Sequence, residues 1–271
     1  MRGRSESKAR RVVNDPPYVV VVLGVLGLAL FVVPLAGLLA RAPWRRLPEL
    51  LTSPVVLDAL RLSIVTSVAA AAISVLIGVP LAILVSRAHF RGRRAVRAII
   101  TLPLVLPPVV GGAALLFALG RRGVIGEPIY QATGLLLPFS TWGVIVANTF
   151  VAMPFLVITV EAALRNLDQR YEAAASTLGA GRWAVLRHVT LPLIAPSLLA
   201  GTVLTWARAL GEFGATITFA GNLPGTTQTL PLSVYVSLQA DRDSAIAISL
   251  LMVAVSLAVL IALRDRWRTG I

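Results

Sequence analysis

The chain has 271 residues, of which 57% are hydrophobic and 14% are charged, and its mean hydropathy is +0.84. This balance excludes an ordinary soluble domain, and apolar runs long enough to cross a bilayer recur along the chain. The formal net charge is +13, but the basic residues lie in short segments between apolar runs, so we expect no nucleic acid partner. The chain has no cysteine, which excludes disulfides and thiolate metal sites. We therefore predict an integral membrane protein in contact with a lipid bilayer.

Six apolar segments have the length of about 20 residues that a helix needs to cross a membrane. Lipid leaves no water to satisfy backbone polar groups, and few segments alternate as barrel strands do. We therefore predict an all-α membrane protein with about six transmembrane helices. The first segment resembles a signal peptide in its basic flank, but its apolar run is longer than a signal core, which favours a retained helix. The predicted spans are Tyr18–Leu39, Leu62–Val85, Ala98–Leu119, Ser140–Val160, Leu193–Leu210 and Ala245–Leu263.

Basic residues predict the orientation of these spans. Of the 25 Lys and Arg residues, seventeen fall on the side that holds both termini, seven fall on the other side, and Arg208 lies within a span. The positive-inside rule then places both termini in the cytoplasm. The predicted organisation is a basic cytoplasmic tail over 1–17, a transmembrane domain over 18–263 with a cytoplasmic loop at about 165–192, and a second cytoplasmic tail over 264–271.

The third predicted span, TLPLVLPPVVGGAALLFALG, is rich in proline and glycine. We predict that it forms one helix, which contains Pro103, Pro107, Pro108, Gly111 and Gly112. Proline bends a helix and frees carbonyl groups, and glycine lets neighbouring helices approach. Two interpretations stay open: a kinked packing helix, or a moving helix that lines a pathway, with Pro107 and Pro108 as candidate pathway residues.

The polar segment YEAAASTLGAGRWAVLRHVTLP, residues 171–192, lies in the predicted cytoplasmic loop. Asn166 or Asp168 can cap a helix of about three turns, and Gly179 can end it without strain. We expect a bend at Gly179–Gly181 and then a second short basic helix before Pro192. The first helix is either a surface helix or a docking helix for a groove on a cytoplasmic partner. Its narrow apolar stripe consists of Tyr171, Ala174, Ala175 and Leu178.

The chain lacks the residues that enzymes of several classes need. A P-loop requires Gly-Lys followed by Ser or Thr, and the only lysine is Lys8 in the N-terminal tail. The two histidines, His89 and His188, lie in separate basic loops, and we interpret them as solvated side chains rather than as metal ligands. We therefore predict no catalytic site, no metal site and no nucleotide site on this chain.

The fifth span ends in TWARALGEFGATITFAGNLPGTTQTLPLSVY, which carries ionisable residues at membrane depth. Arg208 and Glu212 are four residues apart and share a helix face. Such residues by default face the bundle interior or a watery path. Either they form a structural ion pair, or Arg208 contacts a passing anion while Glu212 tunes or gates it. The hydroxyl-rich segment that follows suits an oxyanion, and Gly211 and Gly214 complete the candidate pathway residues.

The polar segment resembles the cytoplasmic loop of ABC-importer permeases. The pattern of that loop is E-A-A, three residues, Gly, nine residues, an aliphatic residue, any residue and Leu-Pro. Here Ala173 stands in the glutamate position, and Glu172 lies one residue earlier, which rotates it by about 100° around a helix. The resemblance implies that the loop couples the chain to an ATPase through Tyr171, Glu172, Ala173, Ala174, Ala175, Leu178, Gly179, Leu191 and Pro192.

Three further segments, LPLVLPPVVGG, GRRGVIG and GEFGATITFAGNLPGTTQTLPLSVY, are similar to the permease subunits of molybdate importers within the molybdate/sulfate group. The likeness runs from about Leu60 to Leu263. It implies a homodimeric permease in the cell membrane of a prokaryote, joined to two cytoplasmic ATPase subunits that hold ATP and Mg. This chain itself would bind no cofactor. An extracytoplasmic binding protein would deliver molybdate or tungstate.

Three other functions stay open at this point. A sulfate or thiosulfate permease belongs to the same group. A secondary transporter would depend on an ion gradient rather than on an ATPase. A membrane-embedded enzyme is the third, although only Glu161, Arg208 and Glu212 lie near membrane depth and they form no catalytic constellation.

Overall fold

The computed structural model describes residues 16–88 and 90–267, without the side chains of residues 260 and 262–267. Residues 1–15, His89 and residues 268–271 lie outside the described residues; they include most of the predicted N-terminal tail and half of the predicted C-terminal tail. The described residues form helices and turns and contain no β-strand, which confirms the all-α prediction. The helices are α1 (Tyr18–Ala40), α2 (Leu47–Leu51), α3 (Pro54–Arg87), α4 (Arg93–Val105), α5 (Pro108–Leu119), α6 (Gly126–Thr133), α7 (Thr141–Asn166), α8 (Arg170–Thr177), α9 (Arg182–Leu210), α10 (Gly214–Phe219), α11 (Leu230–Ala240) and α12 (Arg242–Trp267).

Five helices among the described residues are long and apolar enough to cross a membrane: α1, α3, α7, α9 and the part of α12 up to Val259. They correspond to the first, second, fourth, fifth and sixth predicted spans. Helices α5 and α11 are apolar but shorter. Both α3 and α9 contain one wider, π-helical turn, at Ser74–Gly78 and at Leu186–Thr190.

The prediction of a single helix for the third span is wrong. Helix α4 ends at Val105 and α5 begins at Pro108, while Leu106 and Pro107 between them have extended backbone angles. The break follows from the two adjacent prolines, because a proline lacks an N–H donor and pushes the residue before it out of the helical region. Pro108 occupies the first turn of α5, where no helical donor is lost.

The chain divides into two compact units. The first, residues 1–47, contains α1 and the turn that follows it. The second, residues 48–271, contains the other long helices and the whole of the candidate site. The two units are considered separately below.

Helix α7 is the centre of the second unit, where it contacts α3, α4, α5, α9 and α10. One face packs against α3 and α9 through a cluster that includes Leu156, Val160 and Ile194. Another face packs against α5 and α10 through Ala147 and Phe219, both fully buried. Because α7 is apolar along most of its 26 residues, it can bury several faces at once.

A buried asparagine on α7 adds polar contacts to this packing. The Asn148 Nδ2 atom lies 3.5 Å from the Thr66 hydroxyl on α3, and the Thr216 hydroxyl on α10 donates to Asn148 Oδ1 at 3.3 Å. Nearby, the indole N–H of Trp206 on α9 donates to Ser67 on α3 at 2.9 Å. Buried polar groups need such partners, since each unsatisfied one is costly in an apolar interior. The bonds of Asn148 join α3 and α10 to α7, and the bond of Trp206 joins α9 to α3.

Glycine allows α5 and α10 to touch backbone to backbone. A Cβ added at Gly112 would lie 2.7 Å from the carbonyl oxygen of Ala215 and 2.8 Å from Thr218 Cβ. A Cβ at Gly214 would lie 2.7 Å from Pro108 Cβ. Small residues at helix contacts permit this kind of close approach in membranes. The two short helices are therefore held in one register.

We expect Gly112→Ala to lower the stability of the protein in detergent by about 1–3 kcal/mol, the usual cost of overpacking. Gly111→Ala is the matched comparison, because its Cβ would meet only the ring edge of Phe150, at 3.1 Å. Thermal unfolding of both variants measures the difference. Equal melting temperatures would contradict the backbone contact between α5 and α10.

Candidate functional site

Helix α8 in the polar loop is shorter than the sequence predicts. It has eight residues, about two turns rather than three, because α7 continues through Asn166 and leaves only a short connection. Asn166 therefore does not cap α8. Asp168 does interact with its start, since its Oδ1 atom accepts a hydrogen bond from the Arg170 N–H at 2.9 Å.

Gly179 ends α8 in a left-handed conformation, with a φ of +87°. The Gly179 N–H donates to the Ser176 carbonyl at 3.0 Å and the Ala180 N–H donates to the Ala175 carbonyl at 3.1 Å. This is the Schellman arrangement, which favours glycine because other side chains are strained at positive φ. No atom of the residues that the structure describes lies within 4 Å of a Cβ added at Gly179, so the backbone angle rather than space requires the glycine. The predicted bend is present.

The second basic helix does not end before Pro192. It begins at Arg182 and continues through Leu191 and Pro192 as the start of α9, so that loop and span are one continuous helix. The π-helical turn at Leu186–Thr190 precedes Pro192 directly. A proline ring crowds the carbonyl one turn earlier, and a wider turn at that place relieves the crowding.

The side chains of α8 divide between two faces. Tyr171 is 59% exposed and Leu178, at the C-terminal cap, is 88% exposed. Ala173 and Ala174 are also exposed, whereas Ala175 is partly buried. The Glu172 side chain turns the other way and is only 16% exposed.

Glu172 bonds to residues of its own chain. Its carboxylate pairs with Arg87 Nη2 at 2.5 Å, and the hydroxyl of Thr190 donates to the same oxygen. Burial acts to raise the pKa of Glu172. The hydrogen bonds from Arg87 and Thr190 and the charge of Arg87 act in the opposite direction and outweigh burial, so the pKa lies below its ordinary value. The carboxylate is therefore held in its ionised form.

A second carboxylate, Glu161 on α7, lies in the same part of the bundle. It pairs with Arg97 of α4, and Arg165, one turn along α7, lies 2.8 Å from the same oxygen. A polar cavity of about 470 Å³ separates the two carboxylate clusters, with Arg87, Arg165 and Glu172 among its lining residues. Both arginine partners from the α3–α4 region are thus engaged by carboxylates.

Arg208 and Glu212, at the end of α9, do form an ion pair. The distance from Arg208 Nη1 to Glu212 Oε2 is 2.7 Å. The other carboxylate oxygen accepts a hydrogen bond from the Ala215 N–H in the first turn of α10, also at 2.7 Å. The Glu212 side chain is 1% exposed and that of Arg208 is 29% exposed. Glu212 has a partner on each oxygen, whereas part of the guanidinium is accessible.

The candidate pathway residues of the sequence lie near one another in the fold. Helix α9 ends at Leu210, next to Gly211, and α10 begins at Gly214, which contacts Pro108 at the start of α5. Pro107 is the residue immediately before Pro108. The coupling-loop residues form a separate group around α8 and the beginning of α9. The residues that the sequence singled out therefore form two groups on one bundle.

Several residues of these sites escaped the sequence prediction. Arg87 and Arg97 counted only toward the orientation of the chain, and Thr190 fills a position of the loop pattern that accepts any residue. Arg87 is 85 positions from Glu172, so no local spacing connects them. The sequence offered one signal for these contacts, namely that basic and hydroxyl side chains occur in the same predicted cytoplasmic segments as Glu172.

Comparison with known proteins agrees with this architecture. Residues 74–270 match the family described as "binding-protein-dependent transport system inner membrane component". The molybdenum transport system permease protein ModB of Mycobacterium tuberculosis is 45% identical over 257 residues, which cover 95% of this chain and 97% of that protein. The sulfate transport system permease protein CysT of Escherichia coli is 34% identical, over 86% of each chain.

A solved structure shares the fold. It is a bacterial ABC transporter involved in the import of the acidic polysaccharide alginate, with a TM-score of 0.75 and 21% identity over the full length of both chains. The match shows that the two chains share one helical fold. Together with the family match and the level of identity to ModB, it shows that the chain belongs to the family of binding-protein-dependent transport system inner membrane components, as a multi-pass ABC-transporter permease of the ModB type.

Proposed function

We propose that the chain is the membrane-spanning subunit of an ATP-driven importer for molybdate, with tungstate as the alternative anion. The observation that carries the proposal is the 45% identity to a molybdenum permease over nearly the whole of both chains. In this proposal two copies of the chain form the pathway in the cell membrane of a prokaryote. An extracytoplasmic binding protein delivers the anion, and the chain itself binds no cofactor.

The polar loop is the proposed contact with the ATPase subunits, which hold ATP and Mg. Helix α8 presents Tyr171 and Leu178 to solvent, and the bend at Gly179 sets its angle to α9. An exposed apolar stripe on a short helix suits insertion into a groove of a partner. The excess of basic residues on the side of the loop supports a cytoplasmic location for the loop and for both termini.

Arg208 is the proposed contact for the anion as it passes the membrane. Its guanidinium is partly accessible, and Glu212, whose two oxygens are occupied by Arg208 and by the Ala215 N–H, holds it in place. A guanidinium donates several hydrogen bonds to an oxyanion. The neighbouring carboxylate reduces the net charge, so the anion is not held too tightly to leave.

A transport assay tests the proposed function. The complex of this chain with its ATPase and binding protein, reconstituted in vesicles, should take up radioactive molybdate only when ATP and the binding protein are both present. Uptake that follows an ion gradient and needs no ATP would contradict the proposal and favour a secondary transporter.

A sulfate importer is the second candidate, since the chain is also similar to a sulfate permease. Competition among anions for uptake distinguishes a molybdate importer from a sulfate importer. We expect excess molybdate and tungstate to suppress uptake of the labelled anion and excess sulfate to leave it unchanged. Suppression by sulfate at an equal concentration would favour the second candidate.

Gly179→Val should prevent stable association with the ATPase while the chain still inserts in the membrane. Valine at this positive φ costs about 1–2 kcal/mol and opens the cap of α8, so the exposed stripe loses its position. Gly181→Val is the matched control, because Gly181 has a φ of −69° and free space at Cβ. Co-purification of the ATPase measures the effect. Equal recovery with both variants would contradict the docking role of the bend.

The Arg208 role can be separated from a purely structural one. Arg208→Gln alone leaves the buried Glu212 without its counter-ion and should destabilise the protein strongly. Arg208→Gln combined with Glu212→Gln removes both charges and keeps an acceptor for the Ala215 N–H. We expect this double variant to fold, by thermal unfolding, and to lose molybdate uptake. Normal uptake would show that the pair serves only the fold.

A further inference from the structure

Glu172 has surroundings that suggest a role of its own in the loop, and this role rests on the proposed function. In the loop pattern of ABC-importer permeases the glutamate position is occupied here by Ala173, which is exposed, while Glu172 points into its own bundle. Its side chain is only 16% exposed, and its carboxylate has partners on two other elements, Arg87 and Thr190. Both partners bond to the same carboxylate oxygen and hold the side chain toward its own bundle.

The partners of Glu172 stand at structurally important places. Arg87 is the last residue of α3, and Thr190 is the last residue of the π-helical turn in α9. Both helices pack on α7 through the cluster that contains Val79, Leu156 and Ile194. The three side chains therefore join α8 to the end of α3 and to the π-helical turn of α9. We call Arg87, Glu172 and Thr190 the latch.

Side-chain bonds also hold the ends of α3 and α4 near each other and α4 against α7. Arg93, at the start of α4, donates to the Ser86 carbonyl at 2.8 Å, and Arg97 pairs with Glu161 on α7. Arg87 therefore lies beside helices that are held to their neighbours by further side-chain bonds. Two faces of α8 have different surroundings, because Tyr171 and Leu178 point to solvent whereas Glu172 points to the bundle.

We propose that Glu172 is a positioning residue that carries the movement of α8 to α3 and α9 through the latch, and that it makes no contact with the ATPase. Charge-assisted hydrogen bonds are short and directional, which suits the transmission of a small displacement. Breaking the latch then leaves the ATPase bound and active but disconnects its cycle from the pathway.

The test uses the full complex of permease, ATPase and binding protein in vesicles. Glu172→Gln, Arg87→Gln and Thr190→Val each weaken the latch, and Arg94→Gln is the matched control, because Arg94 is an exposed arginine of the same basic segment. Three quantities are measured: ATPase co-purification, ATP hydrolysed and molybdate taken up. We expect wild-type co-purification and about a tenfold fall in molybdate transported per ATP in Glu172→Gln and Arg87→Gln, a typical size for coupling between sites. Thr190→Val should show a smaller fall, and Arg94→Gln none.

A charge exchange separates the latch from a direct contact with the ATPase. Arg87→Glu combined with Glu172→Arg restores the pair in reverse and should recover most of the molybdate transported per ATP. Loss of ATPase co-purification in Glu172→Gln, without recovery in the exchanged variant, would overturn the proposal in favour of an external contact. An unchanged ratio in all the weakened variants would overturn it too.

The absence of cysteine from the chain permits a second measurement that does not depend on the transported anion. Cysteines introduced as Arg87→Cys and Glu172→Cys should be joined efficiently by a short bifunctional thiol reagent. The control pair, Arg94→Cys and Glu172→Cys, should react poorly. If the unmodified complex takes up no molybdate, the proposed function fails, and the cross-link alone decides on the latch: no cross-link between 87 and 172 would overturn it.

Discussion

The contact of α7 with the five helices around it is the constraint on which the rest of the structure depends. Both sites are positioned from this helix: its Ala147 and Val151 region carries α5 and α10, while its Leu156 and Val160 region carries α3 and α9. Close packing rather than water exclusion holds helices together in lipid, so the small and branched side chains of α7 decide how near its neighbours come. These contacts also position the ion pair of Arg208 with Glu212 and the loop that contains Gly179.

Two buried carboxylates of the bundle, Glu212 and Glu161, both have partners from outside their own turn of helix. Glu212 caps α10 and pairs with Arg208, and Glu161 pairs with arginines of α4 and α7. A carboxylate without such partners would be neutral or unstable at this depth. The charges are therefore part of the fold and are also available to function, which is why a neutral double variant is informative.

The sequence predicted the helical class, the long spans and the glycine bend, because each depends on a local pattern: a run of apolar residues, or a glycine after an alanine-rich helix. It also predicted the ion pair of Arg208 and Glu212 as one alternative, but not that α9 ends at Leu210 and leaves Glu212 beyond the helix. It missed the break at Pro107, where the effect of two successive prolines outweighed the continuous hydrophobicity. It did not find the bonds of Glu172 to Arg87 and Thr190, since no spacing relates residues that only packing brings together. The continuation of α9 through Pro192 was missed because a π-helical turn has no distinctive sequence pattern.

The exposure of Leu178 has a consequence for assembly in the cell. A leucine and a tyrosine that face water at the rim of a membrane bundle form an adhesive surface when no partner covers them. A copy of the chain made in excess would carry two liabilities, self-association and recognition by chaperones or proteases that read exposed apolar side chains. Balanced synthesis of the chain and the proposed ATPase partner would remove both, so the two side chains that we propose for docking would also favour matched production of the subunits.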